Sequence, residues 1–595
     1  MNIRTRAAAA VLTAGFLALS TACAAGNSGA PATAKPGETA AAPAPAEPYT
    51  PPKISLGTAE DSKGPAPAPE GVVKGGTVTM VDQDDLAHLD PAQEYVNTET
   101  NFGLLLNRGL TGYKRVGKGD YKLVGDLAVD TGTPSDGGKT WTFTLKDGVK
   151  WQDGTPITSA DAKWSMERAF APFITQGPTY IQQWLTGVDY RKSYDGPYSG
   201  KELPNIETPD AKTIVYKFTT PHADANYAFA MGGYALVPKA KDTKEAYDKT
   251  PVSAGPYIIK SHAVDKSIEL ARNPNWDAAT DPIRGGYPDA WKLEFGQQPL
   301  QITDRLIADA GPDQQMFTFY AATAPERLQK VLTDPALKAR LMTSPSPYGN
   351  YYYFNLDRVK DIKIRQAINQ AWPSKQIQQI QGGPQAAALP TTILNENTTV
   401  GYQPYDLYGK AAKPEGDIDK AKQLLKESTN PTPTIVYAYS TTPTNERITV
   451  AIKNALEKTG IKVVTKPMER KTYYDAIGLT KNDFDLYWGG WGADWPSGST
   501  VLPVIFGPVA DGLPNYAHLK DPALIAEMDK ITAMPDLDAQ NAAWMTLDKK
   551  IQETYVPLVV AENRIGNILH GSKVGGAEID PQSWAVTPNS IYVKP

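Results

Sequence analysis

The residues best suited to chemistry gather in one stretch, Asp485-Leu486-Tyr487-Trp488-Gly489-Gly490-Trp491-Gly492-Ala493-Asp494-Trp495-Pro496. Three tryptophans fall within eight residues, and one carboxylate, Asp494, lies between the last two. The pattern predicts a short strand running into a loop. Its glycines let the backbone come close to a bound group, and Pro496 ends any regular element. Aromatic walls around one fixed negative charge suit a flexible cationic ligand, such as a peptide with a free amino terminus. The same residues also fit a tryptophan-rich core strand that ends in a solvated aspartate turn.

No other stretch competes with it. The five histidines (His88, His222, His262, His518 and His570) are scattered without metal-ligand spacing. A single cysteine, Cys23, leaves no internal disulfide and no cysteine-based metal site. There is no G-x-S-x-G elbow, no H-E-x-x-H helix and no dinucleotide fingerprint. Gly132 to Thr140 approaches a phosphate-binding loop. However, five residues rather than four separate Gly132 from Gly138, and a strand pattern follows, so no helix N-terminus would meet a phosphate. We therefore expect no catalytic residues, no metal and no cofactor. The net charge of −5 argues against nucleic acid as a partner.

At 595 residues the chain exceeds one hydrophobic core, and about two to four domains are expected. Residues 1–22 have the layout of a secretory signal. Arg4 and Arg6 precede an apolar run from Ala7 to Leu19, and small residues lead into Cys23. Residues 23–74 are rich in Pro, Ala, Gly, Ser and Thr and read as a disordered, semi-rigid tether.

The folded body begins with an alternating strand at Thr77 to Val81. Leu89-Asp90-Pro91 makes a turn. Asp136-Gly137-Gly138 followed by Thr140 to Thr144 is a hairpin signature, and Thr158 three residues ahead of Asp161 forms a capping box. Tyr257 to Lys260 and Ser267 to Leu270 form a second hairpin. From about residue 300 to 500, strands and helices alternate, which implies a sheet with helices packed against it. The stretch around Asp494 closes that alternation.

Several of these segments together resemble the family 5 extracellular solute-binding proteins of ABC importers. The match is densest from Gly125-Asp126-Leu127-Ala128 through Trp141 to Pro156 and on to Ser165-Met166-Glu167-Arg168. It continues at Gly255-Pro256-Tyr257, Arg272-Asn273-Pro274, Phe354-Asn355, Ile364 to Ile368 and Trp491-Gly492-Ala493-Asp494. The signal and Cys23 resemble those of bacterial lipoproteins, in which that thiol is lipidated. The resemblance implies an α/β, two-lobe periplasmic-binding-protein-like fold (type II, cluster C-like), with an extra hairpin-rich subdomain at about residues 110–210. Lobe I would span 75–298 and return at 557–595, and lobe II would span 299–556.

It also implies a lipid-anchored, monomeric receptor on the extracellular face of the cell membrane, which captures oligopeptides between its lobes for an ABC permease. Asp494 would take the ligand ammonium. Trp491, Trp488 and Trp495 would supply aromatic contacts, with Glu94, Tyr95 and Tyr180 facing the ligand from lobe I. Trp495 and Pro496 depart from the commoner Tyr-x-Asp-Pro continuation, so Trp495 is where ligand preference would differ. An oligosaccharide, metal chelate or haem ligand, a secreted hydrolase and a sensor without import remain as alternatives.

Overall fold

The computed structural model describes residues 53–595 apart from 118 and 188. The expected signal, Cys23 and the tether as far as residue 52 lie outside the described residues. Order begins earlier than the composition suggested. Ile54–Leu56 pairs in parallel with Tyr121–Gly125, so residues 53–74 belong to the folded body and not to the tether. Side chains hold this entry segment: Asp61 takes a 2.9 Å hydrogen bond from Lys122 Nζ, and Ser62 Oγ takes one of 2.9 Å from Gly125 N. Pro and Ala do not by themselves make a segment disordered when it carries such anchors.

The first lobe is built on a five-stranded sheet in the order Met316–Phe317, Thr77–Val81, Ala290–Glu294, Ser267–Arg272, Tyr257–Ala263. Alternation decides its faces: Val78 and Met80 are buried, while Thr77 and Thr79 are not. Trp291, Leu270, Phe317 and residues of the C-terminal tail, Val586 and Ile591, close the core.

The hairpin-rich subdomain carries a four-stranded sheet in the order Thr133–Ser135, Thr140–Thr144, Thr213–Lys217, Ile206–Glu207. Its core includes Trp141, Phe143, Tyr216 and Phe229 and runs on through Leu236, beyond the expected limit near residue 210. The helix Ser159–Arg168 starts at the expected capping box, with Asp161 Oδ2 accepting from Thr158 N at 2.9 Å.

The second lobe holds the sheet Lys462–Met468, Thr434–Ser440, Leu486–Gly492, Tyr348–Phe354, Leu558–Val560. The first three strands run parallel and the last two antiparallel to their neighbours. The helices Ile362–Gln370, Ile418–Lys426 and Pro443–Glu457 bury one apolar face with Phe354, Ile435 and Leu486. Pro522–Thr532 and Leu537–Thr554 share the other core, with Tyr351, Tyr353 and Tyr487.

The expected division at 298/299 needs correction. Met316–Phe317 pairs with Thr77–Val81, and Ile302, Leu306, Val331 and Leu337 share a core with Val81. Residues 299–338 therefore pack with the first lobe. The chain passes between the sheets at Leu341–Pro345, which lies antiparallel to Asn563–Leu569. The return is also later than residue 557, because Leu558–Val560 is still an edge strand of the second sheet. The helix–strand alternation that starts near 300 looks the same in either lobe, and only strand pairing reveals which sheet it joins.

Candidate functional site

Leu486–Gly492 is a central strand, so its side chains alternate between two buried faces. Leu486 enters one core and Tyr487 the other. Gly492 pairs with Tyr348, and a Cβ there would lie 2.4 Å from the Tyr348 ring, so glycine is required for that ring to cover the strand end. After Gly492 the chain leaves the sheet, and Asp494 and Trp495 reach residues of the first lobe.

Between the lobes lies a cavity of about 400 Å³. Asp494, Trp491 and Tyr348 line it from the second lobe, and Glu94, Tyr95 and Tyr113 from the first. The Asp494 carboxylate accepts the Tyr95 hydroxyl on Oδ1 at 2.9 Å and the Tyr180 hydroxyl on Oδ2. Among the described residues no lysine or arginine pairs with it. Burial pushes its carboxyl up, and the two tyrosine hydrogen bonds pull back against that shift.

Glu94 and Tyr95 follow the short turn Pro91–Gln93. That turn is held in place from beneath. The buried guanidinium of Arg168 grips Asp90 with contacts of 2.9 and 2.5 Å and also reaches Asp242 at 3.1 Å. Glu94 is itself buried. One oxygen accepts from Asn107 Nδ2 at 3.1 Å and the other has no hydrogen-bond partner. Burial, reinforced by Glu99 and then Asp90, pushes its carboxyl well up.

The cavity floor includes Asp126 and Arg284, paired at 2.9 Å, with Arg108 at 2.8 Å from the other Asp126 oxygen and Asp281 closing the network. These charges compensate one another, so Asp126 of the Gly125-Asp126 motif serves the framework.

Four of the expected contacts, Glu94, Tyr95, Trp491 and Asp494, line one cavity. Tyr180 reaches the site through Asp494 and is absent from the lining. Two expected contacts are elsewhere. Trp488 is three residues from Trp491 on one strand and so faces the opposite side, where it packs in the second-lobe cores near Tyr474. Trp495 is 2 % exposed and is buried in the core of the first-lobe subdomain. Its indole N–H donates to Asp224 Oδ2 at 2.8 Å, and its ring meets Tyr180 and Trp184 edge-on at 4.7 and 5.9 Å. It is an anchor between lobes, held there because the indole N–H finds a buried carboxylate.

A family model described as bacterial extracellular solute-binding proteins, family 5 (middle), matches residues 122–512. The chain belongs to this family. As a family 5 solute-binding protein it is 27% identical over 467 residues to the probable D,D-dipeptide-binding periplasmic protein of Escherichia coli strain K12, covering 74% of this chain and 79% of that protein. It is 24% identical over 488 residues to the periplasmic murein peptide-binding protein of the same organism, covering 79% and 84%. Among solved structures, the clavulanic acid biosynthesis oligopeptide binding protein 2 superposes with a TM-score of 0.80 at 27% identity, covering 88% of this chain and 96% of that one. Among the described residues no helix is long and apolar enough to cross a membrane, and no cluster of His, Cys, Asp and Glu could hold a metal ion.

The cavity has a further wall that the sequence reading missed, formed by the C-terminal tail with Glu578, Asp580, Ser583 and Asn589. A usable signal was present. Glu578-Ile579-Asp580 sets two acids on either side of a buried apolar residue, which directs both carboxylates to one side of an extended segment.

Proposed function

We propose that this protein captures oligopeptides in the cavity between its lobes and delivers them to an ABC permease, without catalysing a reaction. The observation that carries this reading is Asp494: a carboxylate lining an aromatic-walled cavity, with two tyrosine hydroxyls and, among the described residues, no cation to satisfy it. A ligand ammonium supplies the missing charge. A charge-assisted hydrogen bond of that kind contributes roughly 1.5–3 kcal/mol, and it is available to any peptide through its one shared group. Trp491 walls the site beside it, with Glu94 and Tyr95 facing the ligand from the first lobe. A sugar-stacking platform of three tryptophans is disfavoured, because only Trp491 of the three lines the cavity. The relatives named for peptide binding support the same ligand class.

In the same reading, lipidation of Cys23 tethers a monomeric receptor to the outer face of the membrane. Mass spectrometry of membrane-extracted protein tests this, and an unmodified Cys23 thiol in the mature chain overturns it. The binding site is tested by calorimetry against short peptides. Wild type should bind, Asp494→Asn should bind about tenfold or more weakly, and N-acetylation of the peptide should cause a similar loss. Equal affinity of the variant rejects Asp494 as the ammonium partner. No binding of any peptide by wild type rejects the ligand class.

A further inference from the structure

The cavity is more acidic than one ligand ammonium requires. Its lining includes five carboxyl groups (Glu94, Asp126, Asp494, Glu578 and Asp580) and two guanidinium groups (Arg115 and Arg284). Both guanidiniums are already engaged. Arg284 pairs with Asp126 at 2.9 Å, and Arg115 Nε pairs with Glu578 at 2.6 Å. Among the described residues, Glu94, Asp494 and Asp580 have no cationic partner.

Glu94 and Asp494 flank the Tyr95 end of the cavity, whereas Asp580 belongs to the wall formed by the tail. Its donors come from its own turn: the backbone N–H groups of Gln582 and Ser583, at 2.9 and 2.8 Å on Oδ1. Phenol groups surround it. Tyr121 OH donates to the neighbouring Glu578 at 3.2 Å, and the Tyr113 hydroxyl, within electrostatic reach of Asp580, is buried with no hydrogen-bond partner. Tyr113 and Tyr227 present adjacent rings, with centroids 6.4 Å apart, along the same cavity. A carboxylate without a cation beside aromatic faces is the arrangement that holds an ammonium or guanidinium removed from water. Partial burial pushes the Asp580 carboxyl up.

We propose that Asp580 is a second cation subsite of this cavity, so that the favoured ligands are peptides carrying a lysine or arginine side chain in addition to a free amino terminus. This rests on the peptide-binding reading above and narrows it. Asp494 takes the α-ammonium and Asp580 takes the basic side chain, while Glu578, neutralised by Arg115, holds the wall in shape. A peptide with a neutral side chain would fill the same space but leave the Asp580 charge buried and unpaired, which is penalised more than a lost contact.

The test is calorimetry with matched pairs of short peptides, lysine against norleucine and arginine against citrulline, on wild type and on Asp580→Asn. Asparagine keeps an acceptor oxygen for Gln582 N and Ser583 N, so the turn is preserved. A thermal melt that coincides with wild type confirms this. Wild type should prefer the basic member of each pair by about tenfold or more. Asp580→Asn should abolish that preference by weakening the lysine and arginine peptides, while the norleucine peptide, no longer facing an unpaired charge, binds more tightly than to wild type. Equal wild-type affinity for both members overturns the proposal by itself, whether or not the variant folds. So does a variant that weakens both members equally. Both of those outcomes leave peptide binding standing, whereas no binding of any of the four peptides overturns the peptide-binding reading as well.

Discussion

Two carboxylates cross the seam between the lobes, one in each direction. Asp494 reaches from the second lobe to Tyr95 and Tyr180 of the first. Asp224 of the first lobe receives Trp495 at 2.8 Å and Ser499 at 2.6 Å from the second. Each accepts two neutral donors and neither meets a cation. Burial pushes both carboxyls up. They differ in what stands beside them. Asp494 lines the cavity, so a ligand ammonium can take over from the tyrosine hydroxyls. Asp224 is 2 % exposed, behind the indole of Trp495, and no ligand can reach it. The same chemistry therefore serves recognition at one point and closure at the other. Neutral donors are sufficient for a latch because a phenol, hydroxyl or indole gives up far less hydration than a cation when the lobes close. A guanidinium partner at Asp494 would satisfy the carboxylate permanently and compete with any cationic ligand.

The sharpest way to break this comparison is Trp495→Ala. It removes a fully buried indole from the subdomain core and strips Asp224 of one of its two side-chain donors across the seam. Truncation of a buried tryptophan costs about 3–5 kcal/mol, and here much of that cost falls on the closed arrangement, because the indole and its pocket belong to different lobes. The expected outcome is a larger radius of gyration in small-angle scattering of the empty protein, with a wild-type-like radius restored at saturating peptide. An unchanged radius without ligand would mean that Asp224 is no latch and that Trp495 is only a packing residue. Asp494→Asn should behave in the opposite way, losing peptide affinity while the empty protein scatters much as wild type does.

This division of labour was only half legible in the sequence. Trp491 and Asp494 stand at the end of one predicted strand, and that local pattern was enough to bring them to one cavity. Strand periodicity also separates Trp488 from Trp491, since residues three apart point to opposite faces. Trp495 could not be assigned in that way. Its partner Asp224 lies 271 residues earlier, just before the short helix Ala225–Ala228 in another lobe, and no local spacing links the two. The lobe boundary failed for a related reason. Helices such as Pro299–Ala308 are amphipathic wherever they dock, and only the pairing of Met316–Phe317 with Thr77–Val81 reveals which sheet they cover. The capping box at Thr158 and the hairpin at Asp136 to Thr144 were legible because they are local devices.

pH separates the two roles further. When the lobes close on no ligand, Asp224 and Asp494 pass from water into sites that raise their pKa. The closed empty form then binds more protons than the open one. Its relative stability is fully present below about pH 3.9, the ordinary aspartate value, and is lost as pH rises through the raised values. Glu94, Glu578 (pushed up to about 7 by burial against the opposing pull of Arg115) and Asp580 line the same cavity and add to this trend. A ligand ammonium at Asp494 reverses the sign there, because the contact needs the ionised carboxylate. Scattering of the empty protein should show opening between about pH 4 and pH 7, while peptide affinity rises over the same interval. Asp494→Asn should flatten the affinity curve and only reduce the opening transition, which Asp224 and the remaining cavity acids still drive. A parallel response of both curves would mean that one group governs both events.

The smallest expected effect is at Ser499, and it tests whether the latch depends on shared donors or on the indole alone. Ser499→Ala removes the 2.6 Å bond to Asp224 but leaves Trp495 donating to the same oxygen. A neutral hydrogen bond contributes about 0.5–1.5 kcal/mol net, and Asp224 Oδ2 keeps one donor, so the loss should sit at the low end of that range. Peptide affinity should fall by no more than about threefold, and the raised Asp224 pKa should move slightly higher, because a hydrogen bond that favours the ionised form is gone. The double variant Ser499→Ala/Trp495→Ala decides the matter. If its cost exceeds the sum of the two singles, the donors substitute for each other at a shared carboxylate, as the common Oδ2 implies. If the costs simply add, they act as independent contacts across the seam, and the latch is no more than two adjacent hydrogen bonds.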